Sequence, residues 1–404
     1  MNKQEIIDAE NCLMANVFSK RPLVITRGKA ATLWDIDGKE YIDCMGGYGV
    51  ALLGHCHPKV VSAIHEQVDK LISLHASLYN DKRSEFLQKL TSITPEGLNK
   101  AFLSNSGAEA VECAIKLARK YTGKPEIIAM MGSFHGKTMG ALSATWDKKY
   151  REPFMPLVPE FKHVPPDNLD KVKEAISDKT AAILIEPIRG EGGIRVPPDG
   201  YLQGLRQICN EKSILLIFDE VQTGFGRTGK LFGCQNWDVV PDIMTLAKPF
   251  AGGLPIGITV AKENIMSALK LGEHSTTFSG GPLVCAAGSA AIDALIEENL
   301  TEQAAAKGKY FKDSLEKLQL KHKIIKEVRG LGLMLGVELR FDVLNIILKC
   351  ADRGVLILDA GKNVLRFLPP IVITKEQIDK SIEVLDAVLG EEENARAASN
   401  TLPN

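Results

Sequence analysis

Ile214-Leu215-Leu216-Ile217-Phe218-Asp219 and Ile243-Met244-Thr245-Leu246-Ala247-Lys248 decide how this chain is read. Each is a short apolar run that ends on a charged residue. A run of that length reads as a strand buried on both faces, as in a parallel sheet. Asp219 and Lys248 then emerge together at the carboxyl edge of one sheet, where open α/β folds bind ligands. A charged residue at a strand end is also commonly just the first solvated position, so the surroundings carry the weight.

Outward from this pair, similar apolar runs recur at Ile127 to Met130 and Ala181 to Ile185. Amphipathic stretches separate them, including Leu169 to Ser177 and Leu202 to Lys212. The alternation predicts βαβ units and a mostly parallel sheet, an α/β fold. Nearer the amino end, Ala31 to Asp43 reads as a hairpin around Asp35-Ile36-Asp37-Gly38. Towards the carboxyl end, a helix pattern over Leu300 to Leu318 precedes the strands Leu333 to Leu339 and Val364 to Phe367. The two chain ends are expected to build one small α+β domain, 1–45 and 291–389, around a large domain at 46–290. Residues 390–404 are polar and patternless, and disorder is the expectation there.

Composition narrows the function. The 49 basic and 50 acidic residues nearly cancel, which removes a general field for nucleic acid or an anionic membrane. No apolar run approaches membrane-spanning length, and Met1 to Lys20 lacks a signal core. The eight cysteines stand singly, mostly inside apolar segments and without CxxC spacing, as in a reducing cytoplasm.

An amine and a carboxylate at one sheet edge suit pyridoxal phosphate. The amine holds the aldehyde as a Schiff base, and the carboxylate keeps the ring nitrogen protonated. Ser106, Gly107 and Ala108 sit in a Ser-Asn-Ser-Gly-Ala-Glu turn that opens a helix, where small residues let amides reach a phosphate. The Ser106 to Glu109 spacing also satisfies a helix capping box. Phe134 follows the strand Ile127 to Met130, and its ring either stacks on a planar ligand or fills core. Glu186 ends another strand, and Glu191 follows in Arg189-Gly190-Glu191-Gly192-Gly193, a loop that glycine opens to close backbone approach.

Three other motifs fail on chemistry. Gly224-Phe225-Gly226-Arg227-Thr228-Gly229-Lys230 nearly spells a nucleotide loop, but Leu231 stands where a hydroxyl must hold magnesium. His55-Cys56-His57 has no second ligand pair at metal-site spacing, so no metal is expected. Gly330-Leu331-Gly332 has the wrong spacing for a dinucleotide loop.

Read together, the chain resembles the class III, ω-amino-acid branch of the pyridoxal-phosphate aminotransferases from about Arg21 to Leu389. The matching motifs include Leu33 to Gly38, Gly54 to Pro58, Asn105 to Ala110, Phe134 to Thr138, Glu186-Pro187, Asp219 to Arg227, Leu246 to Lys248, Thr276 to Phe278 and Arg366 to Pro370. The resemblance implies the aspartate-aminotransferase-like fold, with a seven-stranded sheet, and a homodimer with shared active sites. Lys248 would hold the cofactor and carry the proton, and Asp219 would pair with the ring nitrogen. Gln222 would reach the phenolic oxygen, Phe134 would stack, and Ser106, Gly107 and Ala108 would bind phosphate, with Thr277 arriving from the partner subunit. His135, Glu186, Val221 and Thr276 would complete the cofactor contacts. Arg366 would take the α-carboxylate of glutamate, and Glu191 would pair with Arg366 when an ω-amino substrate is bound. Tyr48 and Lys137 would also touch substrate.

Gly46 to Ala51, Thr145-Trp146 and Lys149 to Phe154 are similar to a subgroup that works on a semialdehyde attached to LysW, a small acidic amino-group carrier protein. That implies exchange with glutamate and 2-oxoglutarate through pyridoxamine phosphate, in lysine or arginine biosynthesis. The alternative is acetylornithine or ornithine as free substrate. Lys148, Lys149 and Arg151 would meet the carrier, or form an ordinary solvated face. Departures from the family pattern are Lys137 in place of a carboxylate-gripping arginine, Phe18 for tyrosine, Ser279-Gly280-Gly281, and Pro249, which is expected to hold Lys248 extended.

Overall fold

The computed structural model describes residues 1–400. Its centre is a seven-stranded sheet in the order Lys100–Ser104, Gly257–Ala261, Ile243–Leu246, Leu215–Asp219, Thr180–Ile185, Glu126–Met130, Phe161–Val164. Only Gly257–Ala261 runs against its neighbours; the other pairings are parallel. The inner strands are buried along their whole length, as continuous apolar runs require when helices cover both faces. On one face, helix Gly107–Thr122 sets Val111, Ala114, Ile115 and Ala118 against Ile127, Ala129, Leu184 and Ile217. Each valine, isoleucine or leucine among them contributes on the order of 1.5–3 kcal/mol when taken fully out of water.

Sequence from the two chain ends meets in a second sheet. Ile25–Lys29, Thr32–Asp35 and Glu40–Asp43 form an antiparallel meander, and Val355–Leu356 adds in parallel to Glu40–Asp43. The predicted turn is built as its residues suggest. Asp35 Oδ1 accepts hydrogen bonds from the Asp37 and Lys39 amides at 3.0 and 2.9 Å, and Gly38 takes φ +84°. A third sheet joins Ile325–Leu331, Met334–Leu339, Val364–Phe367 and Leu358–Asp359, all antiparallel. It carries Arg366.

The expected disorder of 390–404 is overturned as far as residue 400, because helix Lys375–Asn400 continues through it. Residues 401–404 lie outside the described residues. The polarity that suggested disorder is spent on specific partners. Glu391 pairs with Arg353 at 2.5 Å, and Glu393 meets His322 Nδ1 at 2.9 Å. Asp386 takes the other His322 nitrogen at 2.6 Å, so the histidine clamps two turns of the helix. Six cysteines are buried and free, but Cys12 and Cys56 are exposed. Among the described residues no helix is long and apolar enough to cross a membrane.

The motifs set aside on chemistry have structural work. Arg227, in the nucleotide-like loop, is fully buried and donates to the Leu333 and Pro369 carbonyls at 3.0 and 2.5 Å, strapping that loop to the third sheet. His55 and His57 turn to different carboxylates, Asp43 at 2.7 Å and Glu298 at 3.3 Å.

Candidate active site

A cavity of about 740 Å³ opens at the carboxyl edge of the central sheet. All of the predicted site residues line it except Thr276 and Thr277. Thr276 lies beside it, its Oγ1 accepting from Asn105 Nδ2 at 2.9 Å, while Thr277 is exposed.

Strand Leu215–Asp219 delivers Asp219 to the floor with 5% of its surface exposed. A buried carboxylate needs partners, and Asp219 has three. Oδ2 lies 2.8 Å from His135 Nδ1, while Oδ1 accepts from the Val221 amide and the Thr245 hydroxyl at 3.1 Å. Strand Thr180–Ile185 delivers Glu186, whose two oxygens accept from the Phe134 amide at 3.0 Å and the Gly190 amide at 3.1 Å. Burial pushes the Glu186 carboxyl up to about 7, aided by the nearby negative charge of Asp219 and opposed by His135.

Strand Ile243–Leu246 leads to Lys248. Enclosure by the cavity walls strips solvent from its amine and lowers the pKa to about 8. The expectation that Pro249 holds this lysine extended is corrected: Lys248 has φ +48°. It opens a short turn, Lys248–Ala251, whose Pro249, Phe250 and Ala251 are all buried. Tertiary packing therefore overrides the local preference, at a backbone cost of about 1–3 kcal/mol. Such strain collects where a side chain must be aimed.

Helix Gly107–Thr122 points its first turn at the cavity. Ser106 caps it by accepting from the Glu109 amide at 3.2 Å, and the Glu109 carboxylate reaches back to the Asn105 amide at 2.9 Å. Capping and anion binding are thus compatible, because the first amides of a helix remain unpaired within it. A Cβ on Gly107 would lie 2.9 Å from Val221, so the bare backbone keeps the slot open. A Cβ on Gly190 would displace the Gln222 amide from its place at the cavity.

Arg366 is fully buried, donates through Nη1 to Glu191 Oε1, and stands 5.5 Å from the Tyr48 ring centroid. The Glu191 side chain keeps 29% exposure on its loop. One partner is therefore fixed in a strand and the other lies on a partly exposed loop. Towards the mouth, Phe134 meets Tyr150 edge to face at 5.7 Å, and Lys137 lies 4.8 Å over the Tyr150 ring. Tyr150 and Asp359 also line the cavity and were not among the predicted site residues. Tyr150 sits in a short helix, Lys148–Arg151, and Asp359 on a two-residue strand, neither of which leaves a periodic signal.

The fit to pyridoxal phosphate rests on atoms left over. Gln222 Oε1 and His135 Nε2 are buried beside the cavity without a hydrogen-bond partner. Buried polar atoms are rarely orphaned, so a polar ligand is expected there. An amine of lowered pKa, a partnered acid, a planar ring and a helix amino terminus meet in that one space.

A model of the family described as aminotransferase class-III matches residues 14–389. The chain is 46% identical over 391 residues to the acetylornithine aminotransferase of Methanopyrus kandleri, covering 96% of this chain and 99% of that protein. It is also 46% identical over 391 residues to the [LysW]-aminoadipate semialdehyde transaminase of Deinococcus radiodurans, covering 96% and 91%. The crystal structure of the ornithine aminotransferase from Toxoplasma gondii matches with a TM-score of 0.94 at 32% identity, covering 98% and 96% of the two chains.

Proposed function

The chain belongs to the class III aminotransferases, which are pyridoxal-phosphate enzymes, and from that premise we propose that it exchanges an amino group between glutamate and the terminal aldehyde of a LysW-type carrier-linked semialdehyde. The observation that carries this reading is the Arg366–Glu191 pair in the same cavity as Lys248.

Pyridoxal phosphate, when bound, supplies an aldehyde that takes up the amino group and a ring that draws electrons from the substrate carbon. Ser106, Gly107 and Ala108 would hold its phosphate, with Thr276 at their side. Asp219 would hold a proton at the ring nitrogen, and His135 and Thr245 keep that carboxylate oriented. Gln222, Val221, Phe134 and Glu186 would fix the ring. Lys248 Nζ would take and return the substrate proton, a task its lowered pKa suits near neutral pH.

Glutamate would bind with its α-carboxylate on Arg366 after Glu191 swings away. An ω-amino substrate brings no carboxylate to that end, and Glu191 then neutralises the buried guanidinium. A mobile partner costs less than a permanently unpaired buried charge.

Exposed Lys148 and Lys149 directly precede Tyr150, which lines the cavity, and this supports an acidic carrier there. A second reading, an acetylated free substrate, is supported by the relative from Methanopyrus kandleri at the same identity. A second copy of the chain would complete the site through Thr277, and the exposed apolar Ile72, Leu78, Tyr79 and Phe278 support such a face. The test is a set of half-reactions. Cofactor-loaded enzyme is mixed with glutamate, ornithine, acetylornithine or carrier-linked lysine, and cofactor absorbance is followed. The carrier-linked donor should react fastest among the ω-amines. If acetylornithine equals or exceeds it, the second reading replaces the first.

A further inference from the structure

The outer end of the cavity holds a carboxylate that the roles above leave unused. Asp359 lines the cavity and is exposed to it. Its strand, Leu358–Asp359, pairs antiparallel with Val364–Phe367, with Leu358 opposite Arg366. Asp359 is therefore held by the same sheet as the arginine of the proposed switch. Its polar neighbours are Arg21 and Tyr48. Arg21 is committed elsewhere, donating from Nη2 to the Ile357 carbonyl at 2.5 Å and from Nη1 to Met45 Sδ at 3.4 Å. Among the described residues the Asp359 side chain enters no hydrogen bond or salt bridge.

A carboxylate with free lone pairs in a ligand cavity can only accept, and its strongest partners are charged or amide N–H donors. An ω-amino substrate must bring its terminal amine to Lys248, so the remainder extends outward past Tyr48. On an ornithine- or lysine-type substrate that outer end carries a nitrogen on the α-carbon. The nitrogen is an ammonium when free and an amide N–H when acylated, and both donate. Glutamate, in contrast, puts its only nitrogen at Lys248.

We propose that Asp359 accepts a hydrogen bond from the α-nitrogen of the ω-amino substrate, and so selects substrates that carry this nitrogen over plain ω-amino acids. The inference rests on the proposed function and adds the group that recognises the far end of the substrate.

The test is a set of single-turnover half-reactions on cofactor-loaded wild type, Asp359→Leu and Asp359→Asn. The donors are ornithine, acetylornithine, δ-aminovalerate, which lacks the α-nitrogen, glutamate and carrier-linked lysine. Wild type should favour the first two over δ-aminovalerate. Asp359→Leu should lower kcat/KM for ornithine and acetylornithine about ten- to hundredfold, as for loss of a hydrogen bond to a charged group. It should leave δ-aminovalerate and glutamate within about twofold, erasing the preference. Asp359→Asn keeps an acceptor oxygen without the charge, so it should fall between, and it serves if the leucine variant fails to fold. A preserved preference in the variants overturns the proposal, as does an equal loss with glutamate. If wild type reacts with glutamate but with neither carrier-linked lysine nor any free ω-amino donor, the proposed function itself has failed. If ω-amino donors react and the variants leave them unchanged, only the role of Asp359 has.

Discussion

The floor of the cavity and its mouth are built on different principles. On the floor, Asp219, Glu186 and His135 are almost wholly buried and hydrogen-bonded to neighbouring strands and loops. At the mouth, Tyr48 is half exposed, Lys137 and Asp359 are exposed, and the contacts are rings and single charges. The contrast divides the labour. A fixed floor holds one cofactor in one orientation, while a loosely held mouth can accommodate substrates of different shape. Arg366 and Glu191 sit at the boundary, one buried and one partly exposed.

The difference can be broken from the floor first. Lys248→Ala removes the group proposed to carry the proton, so turnover should fall on the order of 10²–10⁴-fold or more in both half-reactions, read by steady-state kinetics. Asp219→Asn should cost roughly a hundredfold or more in both halves, with altered cofactor absorbance, because on the proposed roles the ring nitrogen would lose its charged partner. Neither loss should depend on the donor, and a donor-dependent loss would blur the line between floor and mouth.

A pH profile sharpens the same line. The buried Lys248 amine has a pKa lowered from 10.5 to about 8, and only the neutral amine is a nucleophile. Capture of cofactor by the apoenzyme should therefore rise tenfold per pH unit below about 8 and level off above it. A rate still climbing towards 10.5 would mean that the amine is solvated like a surface lysine. The smallest effect belongs to the rim. Replacing Lys148, Lys149 and Arg151 together by Ala should raise KM for a carrier-linked donor severalfold and spare acetylornithine, since exposed charge pairs contribute about 0–1 kcal/mol each. Unchanged kinetics with the carrier-linked donor would remove the basic rim from the account.

The same division explains what was legible in the sequence. Asp219, Glu186 and Lys248 follow apolar runs whose burial on both faces allows little but a parallel strand, so their arrival at one edge could be read from pattern alone. Their roles came from the resemblance to a family. The mouth left no such trace. Asp359 is on a strand of two residues, and Tyr150 is in a single helical turn. The last stretch of the helix, 390–400, carries no apolar pattern, and its glutamates are held by Arg353 and His322, which lie far off in the sequence. The backbone of Lys248 was misjudged because a local rule about proline was applied where buried packing decides.

The central claim is that one cavity serves glutamate and an ω-amino donor by moving Glu191 on and off Arg366. Its most direct test is the pair of half-reactions on Arg366→Ala. Losing a buried charged partner costs about 2–5 kcal/mol, so the glutamate half-reaction should fall at least tens of fold while the half-reaction with acetylornithine or a carrier-linked donor stays close to wild type. An equal loss in both halves would contradict the switch and leave Arg366 a structural charge.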